Sequence, residues 1–288
     1  MNHRIRPAAA GFLSDCLSLL FPGDCRICAR PLKEFSRIPV CRSCLNAAPP
    51  FQADFFCTSC RTPFANSRPL DQEGRCALCR LGLRSYDAAY CYGSYEGVLR
   101  SLVHLFKYGR VTPLAKPLGA YLFQALPIGV RFDLIVPMPM HWRRRWRRGF
   151  NQADLLAREL ARRTALPVKR WLRRVKARPP QAGLSNAERR RNVAGAFAVS
   201  AQGRLAGCRV LLVDDVLTTG ATAAAAAAAL KSAGAAHVAV VTLARVDRRW
   251  FLSADPSRNR DPDFFPGSAD YALWGPHAPA RAGAECQL

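Results

Sequence analysis

The apolar positions change their spacing along the chain, and each change marks an element. Helical spacing predicts helices over Tyr95–Tyr108, Pro113–Leu126 and Asn151–Arg163. Short apolar runs predict strands: Phe132–Val136 (FDLIV), stopped by Pro137 and Pro139, then Gly195–Val199, Val210–Val213 and Val238–Leu243. A helix over Gly220–Ser232 carries seven consecutive alanines. Strands alternating with helices over 86–250 predict an α/β domain with a mostly parallel sheet, covered on both faces. Residues 23–82 show little periodic apolar pattern and cannot bury much core. Near the start, Phe12, Leu13, Cys16, Leu17 and Leu20 share one helical face, predicting a short amphipathic helix within 1–22 that docks on the protein. Beyond Asp255, Pro, Gly, Ala and charge without a period predict a disordered tail over 255–288.

Cysteine spacing gives the aperiodic stretch a meaning. Eight of the 12 cysteines form four C-x-x-C pairs: Cys25/Cys28, Cys41/Cys44, Cys57/Cys60 and Cys76/Cys79. A two-residue spacer lets a tight turn aim both sulfurs at one ion. The 12-residue gap within the first two pairs and the 15-residue gap within the last two suit short zinc ribbons. One such pair alone reads equally well as a redox motif; four at this rhythm favour two structural zinc sites of four thiolates each. Sequential pairing is the working expectation, with a cross-braced arrangement left open. Cys16, Cys91, Cys208 and Cys286 read as reduced thiols, and this usage fits the cytoplasm. No apolar run approaches the roughly 18–20 residues of a membrane span.

Charge changes the picture less. The chain of 288 residues carries 43 Lys and Arg against 20 Asp and Glu, a formal net charge of +23. Such a surface attracts polyanions, whether nucleic acid, anionic lipid or phosphorylated metabolites, without choosing among them.

The most specific chemistry lies at 210–222, VLLVDDVLTTGAT. An apolar strand ends in Asp214 and Asp215, a turn of small and hydroxyl residues follows, and a helix begins. Backbone N–H groups of Leu217–Thr222, the Thr218, Thr219 and Thr222 hydroxyls and the helix N-terminus suit a phosphate. Gly220 permits close approach of the backbone. Two carboxylates would repel a bare phosphate and suit sugar hydroxyls on a cation-bound ligand. A Walker B strand needs a matching G-x-x-x-x-G-K-[ST] loop, and the chain has none. Simple helix capping explains one such residue, not two carboxylates followed by TTGAT.

The segment PMPMHWRRRWRRGFNQADLLA follows the strand FDLIV. Its prolines, Pro137 and Pro139, limit the loop, and five arginines crowd Trp142 and Trp146. A pyrophosphate needs such a rigid loop and cations; a nucleic-acid-binding or solvated basic face is the other reading. Residues 176–197, polar and punctuated by Gly and Pro, suit a loop that closes over a ligand or an ordinary surface connection. Lys107 fits a phosphate contact and a helix C-terminal cation equally well.

VDDVLTTGAT resembles the signature of type I phosphoribosyltransferases. Together LIVPMPM, RRGFNQA, PPQAGLS, RRRN, GAF and FKYGR, behind paired C-x-x-C motifs, resemble the ComF family of competence-associated proteins over roughly residues 20–250. The resemblance implies a phosphoribosyltransferase type I fold behind a double zinc ribbon. It implies binding of 5-phosphoribosyl-1-pyrophosphate (PRPP) with magnesium, Asp214 and Asp215 on the ribose hydroxyls, and Val216, Leu217, Thr218, Thr219, Gly220, Ala221 and Thr222 around the 5-phosphate. Pro137, Met138, Arg148, Lys176 and Arg178 then fall near the pyrophosphate. It also implies a cytoplasmic protein linked to DNA uptake in natural transformation. Two functions follow. One is transfer of a phosphoribosyl group to an unidentified acceptor, for which no His, Cys or Glu is an evident base. The other is a non-catalytic module that senses PRPP or holds single-stranded DNA or a competence-machinery protein, with Trp142, Trp146 and Trp171 as stacking platforms.

Overall fold

The computed structural model describes residues 23–32, 36–51, 53–64, 67–82, 84–140, 149–175, 196–200, 203–246 and Cys286. The amphipathic helix expected within 1–22, the Arg/Trp segment with Arg148, the closing loop with Lys176 and Arg178, and nearly all of the tail lie outside these residues.

Four parallel strands form the central sheet: β3 (Ala88–Ser94), β4 (Leu134–Pro137), β7 (Arg209–Leu217) and β8 (His237–Arg245), in the order β3-β8-β7-β4. The two central strands, RVLLVDDVL and HVAVVTLAR, are apolar almost throughout because both faces are covered. Alternate residues sort the core. Ile135, Leu211, Val213, Ala239 and Val241 face helices α3 (Gly97–Lys107), α4 (Ala115–Gln124) and α5 (Gln152–Thr164). Leu134, Val136, Val210, Leu212, Val238 and Val240 face α6 (Ala221–Ser232). Ala223–Ala227 are buried, so the alanine run is the face that α6 lays against the sheet.

Within the α/β domain two of the observed strands were not expected. β3, AAYCYGS, has no clean alternation and owes its conformation to pairing with β8 from Ala88↔Ala239 onward. β5 (Leu172–Arg174) pairs antiparallel with β6 (Phe197–Val199). A third difference concerns β7. It does not end before the carboxylates: the ladder with β8 continues through Asp214↔Thr242 to Leu217↔Arg245.

The described residues of the cysteine-rich segment hold four short elements: α1 (Arg42–Asn46), β1 (Phe55–Phe56), β2 (Pro63–Phe64) and α2 (Ala77–Arg80). Its two halves are embedded in the core on opposite faces of the sheet. Cys25 and Cys44 share the cluster of α3, α4 and α5, whereas Cys57, Cys60 and Cys76 share that of α6. Cys208 and Cys286, expected as reduced thiols, are joined in a disulfide across 78 residues of sequence. Linear spacing carries no sign that Cys286 returns to the start of β7.

Candidate functional site

The eight paired cysteines form two clusters, Cys25/Cys28/Cys41/Cys44 and Cys57/Cys60/Cys76/Cys79, each with its sulfurs within 4.8 Å of one another. Their grouping follows the sequential pairing. Cys28 and Cys41 are 3.7 Å apart, Cys57 and Cys79 3.6 Å, and Cys60 and Cys76 3.7 Å. A tetrahedral ion with metal–sulfur bonds of about 2.3 Å requires edges of about 3.8 Å. The donor set and its dimensions therefore fit zinc. Backbone N–H groups point at the sulfurs as well, from Cys41 to Cys25 and from Cys76 to Cys57. Without a cation four thiols cannot all ionise together. Burial pushes Cys44 up to about 12, while hydrogen bonding from Cys60 brings Cys76 down to about 5. All four positions of each cluster are filled by sulfur, so such sites are structural.

A second feature lies at the C-terminal ends of β4 and β7, where a cavity of about 250 Å³ opens. Asp214 and Asp215 line it, with Val216, Leu217, Thr218, Gly220 and Thr222 curving around it into α6. Gly220 has φ +81°, the left-handed turn that starts the helix. Thr219 and Ala221 turn toward each other instead, the Ala221 N–H lying 3.4 Å from Thr219 Oγ1. On the other wall are Met138, Pro139 and Met140. Pro137 is buried within the sheet opposite Val213 and does not line the cavity.

The carboxylates differ in surroundings. Asp215 forms an ion pair with Lys107, Oδ1 to Nζ 2.9 Å. Of the two roles open to Lys107 on sequence, the cavity-facing one matches its position. Asp214 accepts a hydrogen bond from the Asp215 N–H at 2.9 Å. Burial first, and the neighbouring Asp215 charge second, push the Asp214 carboxyl up to about 7. Lys107 and Arg174 oppose that shift without cancelling it.

Of the cavity residues that the sequence did not single out, three stand out. Arg174, at the end of β5, lines the cavity and lies over the Phe197 ring at 5.8 Å; nothing in WLRRV singles it out. Asn151 caps α5 by accepting from the Ala153 N–H, and its Nδ2 donates to the Met138 carbonyl at 3.0 Å. It thus ties the proline loop to the helix, and an Asn ahead of an apolar-periodic run is a readable capping signal. Gln152 is 1% exposed, and neither atom of its amide has a hydrogen-bond partner among the described residues.

Comparison with known proteins agrees with this architecture. Residues 147–274 match the family model of the phosphoribosyl transferase domain. Competence protein F of Haemophilus influenzae is 34% identical over 178 residues, 59% of this chain and 78% of that protein. DNA utilization protein YhgH of Salmonella typhimurium is 34% identical over 235 residues, 79% of this chain and 99% of that protein. Its Escherichia coli K12 counterpart is 32% identical over 244 residues. Among solved structures, glutamine PRPP amidotransferase from B. subtilis is 24% identical, covering 45% of this chain and 26% of that one, with a TM-score of 0.33. With relatives aligned over nearly their whole length, a phosphoribosyltransferase-type parallel sheet and two four-cysteine clusters, the chain belongs to the ComF family, alongside Competence protein F and DNA utilization protein YhgH.

Proposed function

We propose that the cavity binds PRPP together with magnesium, and that the protein transfers the phosphoribosyl group to an acceptor with release of pyrophosphate. The observation that carries this reading is the pair Asp214 and Asp215 near the end of a central strand, two residues before the turn that leads into a helix N-terminus at the same cavity. Two carboxylates suit the vicinal hydroxyls of a ribose. Thr218, Gly220 and Thr222 suit its 5-phosphate. Bound magnesium supplies charge neutralisation on the diphosphate.

In the reaction the bond between the anomeric carbon and pyrophosphate breaks, its electron pair leaving with pyrophosphate. The acceptor's nucleophile bonds to that carbon and gives up its proton. The chain's own contribution is positioning and electrostatics. Lys107 and Arg174 place positive charge at the cavity, Lys107 also holding Asp215 in place. Arg148, Lys176 and Arg178 belong to this reading as further cations for the leaving group. Among the described residues that line the cavity there is no His, Cys or Glu to serve as base for the acceptor.

The names of the relatives extend the reading to competence and the use of DNA; a cytoplasmic location and a single-stranded DNA or protein partner are part of the same proposal. Among the described residues no helix is long and apolar enough to cross a membrane. The net charge of +23 favours a polyanion on the surface as a second, separate activity.

Calorimetric titration of PRPP with and without magnesium tests the first reading, on wild type and on Asp214→Asn/Asp215→Asn. Magnesium-dependent binding that disappears in the double variant is the expected result; no binding by zinc-loaded wild type overturns it. DNA affinity should fall steeply with salt and survive the same double substitution.

A further inference from the structure

The phosphate loop leans on neighbouring elements from behind. Among the described residues, its turn is marked by the Ala221 N–H to Thr219 Oγ1 contact at 3.4 Å and by Ala224 N–H donating to the Gly220 carbonyl at 2.8 Å. Its pivot, Gly220, is buried from behind. A Cβ there would lie 2.8 Å from Leu78 Cδ1 and 2.9 Å from Tyr86 Oη. Leu78 is the third residue of the knuckle Cys76-Ala77-Leu78-Cys79, so two cysteines of the second cluster bracket it. Tyr86 is 1% exposed and shares the buried cluster of Cys57, Cys60 and Cys76. A further tie runs to the far end of the loop. Arg245, in register with Leu217, lies 4.1 Å from the Phe64 ring centre, and Phe64 belongs to the hairpin β1–β2 of the same half-module.

We propose that the second four-cysteine knuckle is a positioning element of the ligand site, with Leu78 and Tyr86 seating Gly220 and thereby setting the geometry of the phosphate loop. The first knuckle has no such role. Its corresponding residue, Ile27 between Cys25 and Cys28, packs against the helices of the opposite face. The two clusters thus divide their work: both hold the fold, and the second also shapes the site. As a statement about ligand affinity, the proposal rests on the PRPP reading above.

The test compares zinc-loaded full-length wild type, Leu78→Ala, Leu78→Met, Tyr86→Phe and Ile27→Ala. Zinc content and Tm are measured first. Then the backbone amide resonances of Thr218–Thr222 are recorded without ligand, and Mg–PRPP is titrated. Leu78→Ala should keep both zinc ions, shift the loop resonances and bind PRPP roughly tenfold more weakly, as expected for a site moved by a fraction of an ångström. Leu78→Met should restore most of the affinity, and Ile27→Ala should change neither the resonances nor the affinity. Tyr86→Phe removes one hydroxyl without opening the core, and it carries the test by itself if Leu78→Ala loses metal. Loop resonances that stay put in the metal-loaded Leu78 and Tyr86 variants overturn the proposal, whatever PRPP does. Resonances that move in a protein whose wild type binds no PRPP leave the seating of the loop standing and remove the PRPP reading instead.

Discussion

At the scale of the residue, Asp214 and Gln152 each carry a testable cost. Burial and the Asp215 charge raise the Asp214 carboxyl to about 7, against an ordinary value of 3.8. The folded state therefore holds this proton more tightly than the unfolded chain. The stability linked to it is fully present below the ordinary carboxylate range and is lost as pH rises through about 7. A magnesium-bound ligand favours the ionised pair, so binding expels the proton. Mg–PRPP affinity should accordingly weaken on acidification from pH 8 to 6, by at most about tenfold per pH unit below the Asp214 value. Calorimetry in buffers of different ionisation enthalpy should register the released proton, and Asp214→Asn should bind weakly with a flat profile across that range. Gln152 presents the opposite case, a neutral amide buried without hydrogen-bond partners among the described residues. Leaving such a group unpaired costs about 1–3 kcal/mol, which the similarly sized, apolar Met avoids. Gln152→Met should therefore raise Tm in the empty protein. It should also diminish the further rise that saturating Mg–PRPP produces, because an amide held ready for a ligand group is gone. A lowered Tm in the empty protein would show that the amide is satisfied in solution.

At the scale of the element, helix contacts leave little slack. Gly119 of α4 faces Glu159 of α5 so closely that a Cβ there would lie 2.4 Å from Glu159 Cβ. Gly119→Ala should destabilise the domain by about 1–3 kcal/mol, as overpacking does, even though alanine is the better helix former. Urea unfolding of the zinc-loaded protein measures this, and an unchanged midpoint would mean that the helices part without penalty. Elements with a strong local signal were legible in the sequence: the apolar runs of β4, β7 and β8, and the 3.6-residue spacing of α3 and α5. The α6 helix, expected from Gly220, begins one residue later at Ala221, with Gly220 as its cap. Elements that depend on partners were not legible. The residues of β3 become a strand only beside β8, and the extension of β7 past Asp214 is likewise fixed by its ladder to Thr242 and Arg245. Arg174 reaches the cavity because β5 pairs with β6, a contact between segments more than twenty residues apart.

At the scale of the whole molecule, the cysteine spacing revealed the two clusters but not where they sit. Spacing sets which sulfurs can meet around an ion; it says nothing of what the resulting knuckle leans on. In the fold one cluster packs on each face of the sheet, so metal is expected to stabilise the α/β domain itself rather than an appendage. Buried Cys25 and Cys44 contribute to the core of α3–α5, and buried Cys57, Cys60 and Cys76 to the core of α6. Stripping both ions should therefore lower the single unfolding transition of the entire chain, not melt a separate N-terminal unit first. Structural zinc contributes several kcal/mol or more to folding, and each kcal/mol moves Tm by about 2–4 °C in a domain of this size. A fall in Tm of about 10 °C or more is expected on chelation, with two zinc ions per chain released. Cys25→Ser/Cys28→Ser and Cys57→Ser/Cys60→Ser should each retain one ion and each lower the same transition, by scanning calorimetry and native mass spectrometry. A low-temperature transition confined to residues 23–82, with the α/β domain melting unchanged, would show that the clusters are attached to the sheet without supporting it. The division of labour adds an asymmetry: only the second pair of substitutions should also disturb the phosphate loop, because Leu78 and Tyr86 meet Gly220 on that face alone.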